Sequence, residues 1–343
     1  MTTNMKLFTL AAAASLLSAC THEDELQDNP VEARITASVN RTMARAAGDG
    51  WNADHIGVMA LDEGTTMARK YKNVEYLTTS TGAYADFTPA TTGNGIFFED
   101  ASREFTFAAY APFAPSASAS SLPGDNGKIA VNTERQPTGQ DQEAIDFLFA
   151  TGAKASKSNP VISFTDHSAT GGSNSSFKHK MARLVLKVQV SDADGFTDPS
   201  VLQFAGYKLG GLIHEGTFDV LTGTATATGA VVSDWVLAET TYPTPSTPTA
   251  TYNCVADYDD STGMMTLTMI LLPQTLADFL HFEVAPDDGE GQTYANKDLI
   301  KPALEAGFSY TYTIMVKKTG LTLTGSTIEN WSDGGTHAGD ARM

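Results

Sequence analysis

Residues 31–39 read Val31-Glu32-Ala33-Arg34-Ile35-Thr36-Ala37-Ser38-Val39. Apolar side chains take every odd position and polar ones every even position, the period of a strand that buries one face and wets the other. The alternation recurs along the chain. Phe105 and Phe107 oppose Thr106 and Ala108, and Leu184, Leu186, Val188 and Val190 oppose Arg183, Lys187 and Gln189. Met265, Leu267, Met269 and Leu271 oppose Thr266 and Thr268, and Tyr310, Tyr312, Ile314 and Val316 oppose Thr311 and Thr313. Many such strands between Gly, Pro and Asn turns predict an all-β chain of antiparallel β-sandwiches. Helical signals are scarce. Residues 298–306 have room for a turn or two, interrupted by Pro302, and residues 141–149 are ambiguous, with strand favoured from Ile145 onward.

Directly after the first strand, residues 40–50 are small, polar and flexible, and they hold Arg41 and Arg45 in a chain otherwise poor in Arg. Such a loop is open to proteases. Residues 114–124, and residues 240–251 with Pro243, Pro245 and Pro248, read as exposed loops. The segment 167–176, with Gly171 and Gly172, precedes the strong strand near Arg183 and sets a domain boundary near residue 178. A chain of 343 residues has room for two ordinary domains, here 31–178 and 179–343.

Before the first strand, an apolar run over residues 7–17 follows Lys6 and ends in Leu17-Ser18-Ala19-Cys20. A positive start, a short apolar middle and small residues at the cut make residues 1–19 a secretory signal, too short to span a bilayer. The cysteine after the small pair resembles the lipobox of bacterial lipoproteins, whose thiol is acylated and becomes the new N-terminus. More than one acyl chain on Cys20 suffices for stable anchoring in the outer membrane. Residues 20–30 then form a tether whose run Thr21-His22-Glu23-Asp24-Glu25 resembles a surface-export signal. With Cys20 acylated, Cys254 has no disulfide partner and reads as a small buried hydrophobe.

Hydrophobic residues make up 41% of the chain and aromatics 9%, enough for real cores. Acidic residues outnumber basic ones 40 to 22, and a net charge of -18 repels phosphate backbones, which argues against a nucleic-acid partner. No phosphate-binding glycine loop and no nucleophile elbow occurs, so neither a cofactor nor a catalytic residue is expected. His214-Glu215 lacks the second histidine of a zinc helix. Asp192-Ala193-Asp194-Gly195 with Asp198 falls short of a calcium loop and reads as a turn, as do Asp257, Asp259 and Asp260 and the pair Asp287 and Asp288. Asp260-Ser261-Thr262 resembles an O-glycosylation sequon. Trp51, Trp235 and Trp331 each sit beside a strand signal, which favours core packing over sugar stacking.

Several segments, in order, carry a resemblance to a known family. They are Gly48-Asp49-Gly50-Trp51 with Asp54-His55-Ile56-Gly57-Val58, then Asn73-Val74-Glu75-Tyr76 and Ile96-Phe97-Phe98. Phe105-Thr106-Phe107-Ala108-Ala109-Tyr110-Ala111-Pro112-Phe113 and Asp146-Phe147-Leu148-Phe149-Ala150 follow, then Phe177-Lys178-His179-Lys180-Met181-Ala182-Arg183-Leu184. Leu271-Leu272-Pro273-Gln274, Leu304-Glu305-Ala306-Gly307-Phe308-Ser309-Tyr310-Thr311-Tyr312 and Ile328-Glu329-Asn330-Trp331 close the series. Together they resemble the Mfa-like and FimA-like fimbrillins, the subunits of type V pili. The resemblance implies two transthyretin-like antiparallel β-sandwich domains in tandem.

It also implies a route of assembly. An Arg-specific protease cuts after the first strand, at Arg45 or Arg41, and a strand from another fimbrial subunit fills the vacated groove. The displaced strand is Val31, Ala33, Ile35, Ala37 and Val39, taken here as an edge segment. Its apolar burial contributes roughly 1.5–3 kcal/mol for each large side chain and its ladder bonds about 1 kcal/mol each. Their loss, on the order of 10 kcal/mol, rivals a whole domain's stability. A candidate donor lies at the far end. Leu321 and Leu323 share a face, and a bulge at Gly325 would bring Ile328 into line with them; the ordinary reading is that residues 321–331 complete their own domain's sheet. The alternative is a surface lipoprotein that keeps its first strand and binds a glycan or host ligand.

Overall fold

The computed structural model describes residues 29–39, 51–52, 54–100, 103–242, 248–300 and 303–331. Cys20, Arg41 and Arg45 lie outside them, as do the signal and most of the tether.

Among the described residues, the N-terminal half is built on one eight-stranded sheet. Its order is Val161–Phe164, Arg34–Ser38, Tyr84–Pro89, Val74–Leu77, His55–Ala60, Glu104–Ala111, Leu148–Ser156 and Lys178–His179. Neighbours run antiparallel except Val161–Phe164, which lies parallel to Arg34–Ser38. Alternate side chains converge on a core that includes Trp51, Phe87, Phe98, Phe107, Phe164 and Phe177. The Trp51 ring meets Phe87 and Phe177 edge-on, each with centroids 5.0 Å away, the arrangement that aromatic quadrupoles favour.

The C-terminal half is a sandwich of two five-stranded sheets among the described residues. One runs Val255–Asp259, Met264–Leu271, Ala182–Val190, Phe308–Lys317, Gly320–Asn330; the other runs Thr249–Tyr252, Trp235–Thr241, Gly206–Gly210, Leu280–Ala285, Tyr294–Ile300. Leu184, Leu186, Leu267 and Ile314 from the first share a core with Tyr207, Leu237 and Phe282 from the second. Ala182–Val190 and Phe308–Lys317 are parallel neighbours. Cys254 is fully buried here, and burial pushes its thiol pKa up to about 12, so it behaves as an inert apolar group.

Two helical expectations change. Residues 141–149 open as helix, Gly139–Ile145, because Thr138 and Asp141 form a capping box at its start; strand begins only at Leu148. Within 298–306, residues up to Ile300 belong to the strand Tyr294–Ile300, held by Leu280–Ala285, so tertiary pairing overrides the local helical pattern.

The halves are sewn together. Lys128–Asn132 leaves the N-terminal half to pair with Glu215–Asp219, which in turn pairs with Thr224–Ala227. The Gln136 side chain then acts as a piece of strand. Its Oε1 accepts from the Ile270 N–H at 2.7 Å and its Nε2 donates to the Ile270 carbonyl at 2.8 Å. Beneath this stitch, Tyr110, Phe147, Phe149, Phe218, Ile270 and Trp331 form a shared cluster. That cluster explains why Ala108 and Tyr110 are as buried as the Phe107 they oppose. Gly223, at φ +65°, ends the hairpin against it; a Cβ there would stand 2.3 Å from the Phe149 ring. The chain passes from one sheet system to the other between His179 and Ala182.

Candidate functional site

The candidate site is the slot occupied by the first strand. Ala33, Ile35, Ala37 and Val39 are buried, while Glu32 and Arg34 face outward and Thr36 and Ser38 are half-buried. Val31, half-buried, pairs with Phe98 at the strand's entrance. The expected edge position is corrected: Arg34–Ser38 lies one place in from the rim, with a strand on each side. On one side Ile35 faces Phe87 and Ala37 faces Ala85, antiparallel. On the other, Ile35 faces Ile162 and Ala37 faces Phe164, parallel. In residues 161–164 only Ile162, Ser163 and Phe164 alternate, and that short run was the one signal for this outer neighbour. Pairing across so wide a sequence gap leaves no local trace.

The slot's ends and floor are also specified. Ala33 N–H donates to the Ile96 carbonyl and Arg34 N–H to that of Pro160, each at 2.8 Å, and Val39 bridges Phe177. Trp51 Nε1 donates to the Ala37 carbonyl at 3.3 Å. Tyr76 supports one wall: its hydroxyl accepts from Ile96 N–H at 2.8 Å, and burial raises its phenol pKa well above the ordinary value. Outside the strand, a cleft of about 490 Å³ runs between Arg34, Thr36, Asp86 and Thr88.

The candidate donor completes its own sheet. Gly320–Asn330 is the outer strand beside Phe308–Lys317. Leu321 is buried, and Leu323 and Ile328 pack partly buried on the same core. The change of parity falls where Thr313 pairs with Gly325 and Ile314 with Leu323, so Thr324 is the extra residue, one place from the expected bulge. Trp331 follows at once and is fully buried in the seam.

The scan against family models matches the fimbrillin-like family over residues 44–331. The chain belongs to the fimbrillin-like family. A solved structure of a candidate cell adhesion protein from Bacteroides ovatus is 26% identical, with a TM-score of 0.64 over 88% of this chain and 98% of its own. One from Bacteroides uniformis, 22% identical, has a TM-score of 0.63 over 88% and 99% and shows the same fold. No curated protein matches. The fimbrillin-like family is one of structural cell-surface and adhesion proteins rather than enzymes.

The remaining candidates of this fimbrillin-like chain resolve into structure. Asp194 is held by Ser191 and by Lys317, and these partners lower its pKa. Lys318 lies 2.8 Å from Asp288 and 2.7 Å from Glu290, which raise its own pKa. Lysine ammonium groups thus stand where a calcium ion would compete. No group of metal-ligating side chains occurs among the described residues. Asp259 accepts from the hydroxyls of Ser261 and Thr262 in an exposed turn. Trp51, Trp235 and Trp331 are all buried, consistent with core packing. His214, set aside in the sequence as a zinc ligand, and His179 are both buried, and nothing in their spacing announces that burial. No helix among the described residues is long and apolar enough to cross a membrane.

Proposed function

We propose that this chain is a fimbrial subunit exported as a lipoprotein on Cys20, cut by an Arg-specific protease after Arg45 or Arg41, and assembled by strand exchange. It is released from the outer membrane by that cut and joins other fimbrial subunits. Residues 31–178 and 179–343 act as its two domains.

One observation carries the reading: the first strand lies between two others and is buried along one face. Removal of a rim strand exposes one edge, whereas removal of this strand opens a slot with two ladder walls and an aromatic floor. An incoming strand would satisfy both walls at once and fill the places of Ala33, Ile35, Ala37 and Val39. Gly320–Asn330 supports the role of donor, because it is held by backbone pairing on one side and ends a sheet. Residues 40–50, which follow the strand in sequence, supply the arginines for the cut.

N-terminal sequencing of surface-shed material tests the maturation step. A start at Ala46 or Thr42 is expected. Surface material that begins only at an acylated Cys20 would contradict it.

A further inference from the structure

The outer face of the C-terminal sheet centred on Gly206–Gly210 carries two cavities, of about 890 Å³ and about 630 Å³, that meet at Glu283. Tyr207 and Leu209 point into the core, which leaves Lys208 on the outer face between the cavities' floors. Gly206 pairs with Ala285, so that part of the floor has no side chain larger than a methyl. Tyr242 stands at the first cavity with 57% of its surface exposed, and its hydroxyl donates to Asp287. Phe279 stands at the second, 43% exposed. Between them, Glu283 lies 2.6 Å from His281 Nε2 and 3.8 Å from Lys208 Nζ.

A polar middle with an exposed ring at each end does not fit a protein core or an ordinary wet surface. Sugar rings combine apolar C–H faces with hydroxyl edges, and match both features. The carboxylates of Glu283 and Asp287 are engaged by His281, Lys208 and Tyr242, whereas Glu239, Asp234 and Asp278 also line the trough, which makes a cationic peptide the rival occupant that the test must separate from a sugar. The chain's charge of -18 repels acidic glycans. The central strand spans roughly 13 Å from its first residue to its last, long enough for an extended oligosaccharide. We propose that this trough binds a neutral oligosaccharide, which stacks on Tyr242 and Phe279 and hydrogen-bonds Lys208 and Glu283. The site is remote from the first-strand slot and operates whether or not that strand is exchanged.

Calorimetric titration of the full chain with mannotetraose, cellotetraose, xylotetraose and, as a cationic peptide, tetralysine tests the site. At least one tetrasaccharide is expected to bind saturably. Tyr242→Ala and Phe279→Ala, both exposed and checked for fold by circular dichroism, should each weaken it about tenfold. Tyr84→Ala, at an exposed ring of the N-terminal sheet, should leave affinity unchanged. Absence of binding to all three sugars, binding of tetralysine alone, or an equal loss in Tyr84→Ala would overturn the proposal.

Discussion

The Trp331 indole lies flat on the His179 imidazole, with centroids 4.0 Å apart and planes 5° from parallel. His179 Nδ1 is 2.9 Å from Asp146 Oδ1, and all three side chains are buried. The residue that follows the closing strand is thus anchored to the last strand of the N-terminal sheet, so donation of Gly320–Asn330 requires Trp331 to leave the seam. Trp331→Ala should cost about 3–5 kcal/mol in urea unfolding. Hydrogen exchange should accelerate in residues 320–330 before it does in 182–190. Uniform acceleration across both would show that Trp331 does not pin the closing strand in particular.

Ile35 is the largest apolar residue of the first strand and is only 1% exposed. Ile35→Ala should lower stability by about 2–4 kcal/mol, whereas Arg34→Ala, on the exposed face, should change it by less than about 0.5 kcal/mol. Thermal melts of the two variants beside the parent check this contrast.

Gln136 holds the Ile270 backbone by both its groups, and Gln142 Nε2 donates to Gln136 Oε1 at 3.0 Å and to the Thr268 carbonyl at 2.7 Å. Gln136→Leu leaves a buried N–H and a buried C=O without this partner, about 1–3 kcal/mol for each orphan. Loss of the Thr138 cap in Thr138→Ala should cost only about 1 kcal/mol. Denaturant midpoints of the two variants should differ in that order.

His214 shares a hydrogen bond with Thr133 Oγ1 at 3.0 Å and sits against Trp235. Burial lowers its pKa from 6.5 to about 4. Between those values the unfolded chain binds a proton that the folded chain refuses, so stability falls as pH drops. The loss amounts to about 2–3 kcal/mol by pH 4. Urea midpoints should therefore decline between pH 7 and pH 4, and His214→Gln should flatten that part of the decline.

Much of the fold was legible because strand burial writes itself into alternate residues. Val31 to Ile35 to Val39, Leu184 to Val188 and Met265 to Leu271 name their buried faces without help from elsewhere. The parity break between Leu323 and Ile328 located the bulge to within one residue. Pairing partners were not legible. Nothing local in Arg34 or Ile35 announces Val161 and Ile162 alongside, and this is why the first strand was expected at the rim. The seam was hidden for the same reason: Lys128–Asn132 is short, and its partner Glu215–Asp219 lies far along the chain. At 298–300 the local pattern pointed to helix, and the neighbouring strand Leu280–Ala285 settled it as sheet.

The most direct test compares protein beginning at Thr21 with protein beginning at Ala46, the second lacking residues 31–39. The longer form should remain monomeric. The shorter form should assemble into ladders that survive mild denaturant on gels, and a synthetic peptide of residues 31–39 added in excess should suppress them. A shorter form that stays monomeric and melts at the same temperature as the longer one would contradict strand exchange.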